Sequence, residues 1–296
     1  MASTGTKKTT AKKTGSKPGK TKPGGSSSAA VRVAVLGAGK MGGILVQAFL
    51  RSGLFAREQL VATVAHEARA RQLARAWGVR VTTGNKKAVD GADVVLLGVK
   101  PQQMGDVVRG VAKALKPGAL LISFAASVKT AAIEKSAGGK VSVVRAMPNT
   151  PAKLGEGITA LCRGSYVSDA QLALAQRIFA TVGRTVVVDE KHMDAVTGLS
   201  GSGPAFIYII LEELAEAGVN VGLPRDIATQ LAAQTAYGAA KMVLETGSHP
   251  ALLKDEVTTP AGCTVDGILA LEEGGLRVTL IQAVKRATER ARQLAG

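Results

Sequence analysis

Aromatic side chains make up only 3% of this 296-residue chain. Its cores must therefore be filled by Val, Leu, Ile and Ala, and there is little to stack against nucleic-acid bases. The two cysteines, Cys162 and Cys263, stand far apart and offer no disulfide framework, which suggests a reducing, cytoplasmic setting. His66, His192 and His249 are scattered without metal-site spacing, so no metal is expected. Apolar runs such as Ala205–Leu211 fall well short of the roughly 18 residues of a spanning helix, so no membrane segment is expected. Acidic residues are absent from positions 1–30, which carry Lys7, Lys8, Lys12, Lys13, Lys17, Lys20 and Lys22 among Thr, Ser, Gly and Pro. No apolar segment follows these lysines, which speaks against a secretory signal, and the lack of arginine speaks against a transit peptide. With so little to bury, residues 1–30 are expected to be disordered. They read as a solubilising tail or, alternatively, as a polyanion-binding arm.

The net charge is +16. Beyond the tail, 31 basic residues face 22 acidic ones, a moderate excess suited to anionic cofactors and carboxylates. A hydrophobic share of 46% is that of a globular protein with sizeable cores.

The organising stretch is Val31–Gly42. Aliphatic, partly β-branched residues read as a buried strand, and Gly37, Gly39 and Gly42 then satisfy G-x-G-x-x-G before a helical pattern over Ile44–Leu50. In that context the glycines allow a tight turn, approach to a pyrophosphate and close helix–strand packing, and the helix N-terminus attracts the anion. Strand patterns follow at Leu60–Val64, Val79–Val81, Asp93–Val99, Ala119–Phe124, Val141–Ala146, Ile158–Cys162 and Thr185–Val188, interleaved with helices. This alternation predicts an α/β fold, a Rossmann-type, mostly parallel sheet over residues 31–189. After Asp189 only helical patterns remain, predicting an all-helical half over 190–296: His192–Leu199, Pro204–Ala217, Pro224–Glu245, Pro250–Glu256, Thr264–Glu272 and Leu276–Leu294. The small residues spread around 224–245 predict close helix contacts on several sides and hence burial against a second subunit.

The end of the second strand selects the cofactor. An acid there would hold a ribose 2′-hydroxyl, whereas a basic environment accepts a 2′-phosphate. The sequence reads Val64-Ala65-His66, with Arg69 and Arg71 following and Glu67 set late, so NADP(H) is favoured and NAD(H) is the alternative. The loops at Lys100-Pro101 and Ala125-Ala126-Ser127 should share the ligand-binding carboxyl edge of the sheet.

Four motifs are more specific: Val99-Lys100-Pro101-Gln102, Met147-Pro-Asn-Thr-Pro151, Gly198-Leu-Ser-Gly-Ser-Gly-Pro204 and Thr258-Thr-Pro-Ala-Gly-Cys-Thr264. In this order and at these intervals they resemble the pyrroline-5-carboxylate reductase family, over about residues 31–294. The resemblance implies a Rossmann domain followed by a helical dimerisation domain, with dimers that often assemble into rings. It implies NADPH or NADH held by Gly37, Ala38, Gly39, Lys40, Met41, Gly42, Asn85, Val99, Lys100, Pro101, Ala125, Ala126 and Ser127. It implies substrate held by Pro260, Ala261, Gly262, Cys263 and Thr264, with Thr264 nearest the ring nitrogen and assigned the catalytic role. Two residues depart from the family pattern. Ala261 replaces a usual glycine and would be strained if φ is positive there, and Cys263 replaces Thr or Ala and reads as packing.

The implied reaction reduces a cyclic imine bearing a carboxylate, for which orientation and water exclusion matter more than a strong acid. On pattern alone Thr264 reads as a helix N-cap, and only the resemblance raises the catalytic role above that reading. Other chemistry is less well supported. Gly198–Gly203 only approaches the G-x-S-x-G nucleophile elbow. A hydroxy- or keto-acid dehydrogenase would need a lysine or histidine acid in the helical half, and none is obvious. Nucleic-acid binding is expected only through the tail.

Overall fold

Three short strands carry the centre of the molecule: β1 (Val33–Leu36), β4 (Val94–Leu97) and β5 (Leu120–Ser123), every residue of which is buried. Alternation sends Val33 and Val35 into one apolar cluster and Ala34 and Leu36 into another, so each strand anchors both faces of the sheet. Each Val, Leu or Ile side chain among them contributes roughly 1.5–3 kcal/mol by leaving water.

The chain is described by a computed structural model covering residues 31–260 and 262–295. The expectations for residues 1–30 and for Ala261 lie outside these residues. Around the central strands run β2 (Leu60–Thr63), β3 (Arg80–Thr82), β6 (Ser142–Met147), β7 (Gly157–Arg163) and β8 (Gly183–Val187). The eight-stranded order is β3-β2-β1-β4-β5-β6-β7-β8. Neighbours pair parallel except β6 and β7, which pair antiparallel, so β7 and β8 run against the other six. The mostly parallel sheet stands, with this reversal unannounced by any local pattern.

Helices α1 (Lys40–Ser52), α2 (Glu67–Trp77), α3 (Asn85–Val89), α4 (Met104–Val111), α5 (Thr130–Ser136) and α6 (Asp169–Ala180) connect the strands. Helix α1 buries Leu45, Val46 and Phe49, and Phe49 meets Phe55 edge to face at 5.3 Å. Five residues of α3 are too few for a helical period to register in the sequence.

Helices follow from Glu190 onward: α7 (Met193–Val196), α8 (Gly203–Asn220), α9 (Arg225–Thr246), α10 (Pro250–Glu256), α11 (Cys263–Glu273) and α12 (Leu276–Ala295). Between α7 and α8, Thr197–Gly201 forms a π-helical turn. A Cβ on Gly201 would stand 2.7 Å from the Met147 methyl, and one on Gly198 would run into Thr288 of α12. The Gly198–Pro204 motif therefore lets the end of β6 and the last helix approach the same backbone. Glu190–Asn220 is one helical stretch of 31 residues, long and apolar enough by length and composition to cross a membrane. Unbroken apolar runs in the sequence are shorter than this stretch because polar residues are interspersed along it.

Candidate active site

Gly37 closes the turn after β1 at φ +87°, and a Cβ there would stand 2.8 Å from the Gly98 carbonyl. Glycine is required on both counts. A Cβ on Gly42 would stand 2.6 Å from the Gly37 oxygen, so this glycine sets the approach of α1 to β1. Gly39 is the N-cap of α1 and has open space where a side chain would be. No side chain caps α1 and no acid occupies its first turn. Its unpaired N–H groups and partial positive charge thus face an anion without internal competition.

These features open on a groove of about 770 Å³ at the carboxyl edge of the sheet. Of the sequence-predicted cofactor residues, Gly37, Ala38, Gly39, Lys40, Asn85, Val99 and Lys100 line it together. Asn85 accepts a hydrogen bond from Thr63 Oγ1 at 2.7 Å, and Thr63 accepts one from the Gly37 N–H at 3.2 Å. The end of β2 therefore fixes both the glycine turn and the start of α3. Lys40, Arg69 and Lys100 bring positive charge to the groove. The Asp106 carboxylate on its wall is paired with Arg109 at 2.6 Å. A dinucleotide phosphate group fits this donor set.

The other predicted cofactor residues lie off the groove lining. Met41 packs partly buried against the core, Gly42 is a packing glycine, and Pro101 opens an exposed turn. Ala125, Ala126 and Ser127 form the neighbouring loop beyond β5. Ser127 is turned away, its hydroxyl donating to the Ala291 carbonyl at 3.1 Å. Arg71 lies in a separate shallow groove with Ala68, Gln72, Arg75 and Ala76, so only Arg69 of the two arginines reaches the nucleotide groove.

Sequence reasoning missed Trp77 and Thr83 on this lining. Trp77 is the only tryptophan and closes α2, which is the one signal that could have drawn attention to it. Thr83 carries no local signal, because its role depends on a partner 16 residues away.

The Pro260–Thr264 loop leads into α11. Gly262 is the N-cap, with no side-chain cap bond, and Thr264 is the second helical residue. The N-cap reading of Thr264 is thereby corrected. Its hydroxyl makes no hydrogen bond among the described residues. Cys263 is exposed within the chain rather than packed. Helix α11 packs on α12 and α10 on α9, and no hydrogen bond or ion pair joins residues 257–264 to the nucleotide-binding half among the described residues. Cys162 is buried beside Arg145 and Glu190. Burial, with the nearby Glu190 charge, pushes its thiol up to about 11.

A glycine turn on an uncapped helix, at the carboxyl edge of a mostly parallel sheet that leads into a helical half, defines an NAD(P)-dependent oxidoreductase of the Rossmann type. Residues 32–127 match a family described as NADP oxidoreductase, coenzyme F420-dependent. Residues 190–294 match the family described as pyrroline-5-carboxylate reductase dimerisation. The chain is 42% identical to the pyrroline-5-carboxylate reductase of Methanosarcina acetivorans over 89% of its length and 97% of that protein's. It is 41% identical to the one from Glycine max over 88% and 94% of the two lengths. The solved pyrroline-5-carboxylate reductase of Coxiella burnetii superposes at a TM-score of 0.85 with 35% identity, over 90% of this chain and 99% of that one. The Plasmodium falciparum pyrroline carboxylate reductase with NADP bound gives 0.80 with 28% identity, over 90% and 98%. The chain belongs to the pyrroline-5-carboxylate reductase family.

Proposed function

We propose that this chain reduces 1-pyrroline-5-carboxylate to L-proline, the last step of proline synthesis, with NADPH preferred over NADH. The observation that carries the reading is the pairing of a dinucleotide groove with a helix start, Gly262–Thr264, whose N–H groups have no side-chain cap. When bound, the cofactor supplies a hydride to the imine carbon. The chain's own residues hold the reactants. The N–H groups heading α11 grip the substrate carboxylate. Thr264 hydrogen-bonds the ring nitrogen and fixes the ring, and the walls around it exclude water. The NADPH preference is supported by Arg69 and Lys40 on the groove and by the engagement of Glu67 with Thr83.

The loop and the groove come together across a homodimer. Ile207, Tyr208 and Ile209 on α8, Leu231 and Tyr237 on α9, and Ile281 on α12 are exposed apolar side chains that a second copy would cover. The same cover accounts for the apolar stretch through α8 without a membrane. We place the enzyme in the cytoplasm and expect dimers to assemble further, into rings. The deciding experiment follows NADPH oxidation by absorbance with pyrroline-5-carboxylate as substrate, beside sedimentation of the same sample. Absence of turnover would sink the activity, and a fully active monomer would sink the shared site.

A further inference from the structure

We propose that Ser127 and Glu190 are positioning residues through which the helical half holds the cofactor-edge loop, Ser127 by an anchor on α12 and Glu190 by an anchor on the head of α5. The inference rests on the reductase reading above.

The loop spans Phe124–Lys129 and lies one strand beyond the groove-lining Gly98–Val99 turn. Phe124 packs so tightly there that a Cβ on Gly98 would stand 2.5 Å from its ring. Ser127 has φ +64° and is the one non-glycine residue with positive φ among the described residues. An L-residue rarely adopts this conformation unless its surroundings enforce it. The enforcing contact is the hydrogen bond from Ser127 Oγ to the Ala291 carbonyl at 3.1 Å, buried and 164 residues away in sequence.

The other end of the loop is tied as well. Thr130 opens α5, and Lys129, its N-cap, supplies no side-chain cap bond. The two carboxylate oxygens of Glu190 take that role, accepting from the Thr130 N–H at 2.8 Å and the Thr130 hydroxyl at 2.9 Å. Glu190 is the first residue of the helical half. Arg145 on β6 stands 3.6 Å from Glu190 and 3.6 Å from Asp194 of α7, with its side chain only 4% exposed. Arg145 Nη2 and Asp194 Oδ1 are both buried without a hydrogen-bond partner. The guanidinium is therefore shared between two carboxylates of the helical half. Both anchors of the loop thus come from outside the sheet whose edge it forms. A shift of the helical half therefore moves the loop that neighbours the groove-lining Gly98–Val99 turn.

The test compares NADPH with 4-deuterated NADPH in steady-state turnover of pyrroline-5-carboxylate. Ser127→Gly keeps the left-handed backbone accessible and removes the hydroxymethyl group, and with it the anchor to Ala291. Glu190→Ala removes the cap, and Glu190→Gln keeps an acceptor for Thr130. Ser127→Gly and Glu190→Ala should lower kcat at least about fivefold and raise the deuterium isotope effect, because a misplaced ring makes hydride transfer limiting. Glu190→Gln should fall between Glu190→Ala and wild type. Wild-type kcat and isotope effect in Ser127→Gly would overturn the proposal, even if Glu190→Ala fails to fold. A lower kcat with an unchanged isotope effect would overturn it too, since lost stability alone produces that pattern. A wild-type enzyme that does not turn over the imine would instead overturn the reductase reading.

Discussion

Thr83 donates its hydroxyl hydrogen to the Glu67 carboxylate, Oγ1 to Oε1 2.5 Å. Glu67 is the acid nearest the end of β2, and this bond engages it with Thr83, a residue of the groove wall. Under the proposed NADPH preference, a 2′-phosphate would meet Arg69 and Lys40 rather than a free carboxylate. Arg69→Ala should lower kcat/KM for NADPH roughly tenfold, as expected for loss of a charged hydrogen bond, and leave NADH nearly unchanged. Thr83→Val frees Glu67 and should move the preference the same way. Equal losses with both cofactors in Arg69→Ala would show that the arginine does not read the phosphate.

Under the proposed role of Thr264, in which its hydroxyl orients the imine and not the dinucleotide, Thr264→Ala should reduce turnover on the order of 100-fold while NADPH affinity changes little. The two quantities separate in a kcat measurement set beside a binding titration. Unchanged turnover would remove Thr264 from the reaction.

Trp77 lines the groove and is the chain's only tryptophan, so its fluorescence reports occupancy directly. NADPH should quench it saturably. Gly37→Ala should abolish the quenching, since the methyl would meet the Gly98 carbonyl at 2.8 Å and the backbone sits at φ +87°. Normal NADPH titration of that variant would show that the turn is not needed for binding.

The two thiols should react in very different ways. Cys263 is exposed beside Thr264 and should be alkylated first, with proline slowing the reaction. Cys162 is buried, and its thiol is pushed up to about 11. A raised thiol pKa keeps the group protonated and unreactive across neutral pH, and its thiolate gains population only as pH climbs toward that value. Mass mapping after timed alkylation at pH 7 and pH 9 should therefore find Cys162 unmodified in the folded protein. Two equally fast thiols at pH 7 would contradict the burial.

Much of this molecule is legible along its sequence. Val33–Leu36, Val94–Leu97 and Leu120–Ser123 announce themselves because strands buried on both faces leave unbroken aliphatic runs. Pro250 and Gly247 mark helix ends because proline fits a first turn and glycine a left-handed cap. Features set by distant partners are not legible in this way. The direction of β7 depends on which neighbour it meets, and its residues would read the same either way round. Arg69 and Arg71 sit two residues apart on α2, yet they face different grooves. The turn of Ser127 toward Ala291 depends on a helix that closes the chain.

Within one polypeptide, the loop ending at Thr264 packs with the helices while the glycine turn sits on the sheet. If, as proposed, two copies complete the site, it can be repaired by mixing. A protein crippled at Gly37 and another crippled at Thr264 would each be silent alone. Co-assembled, they would pair one intact groove with one intact loop and recover part of the rate.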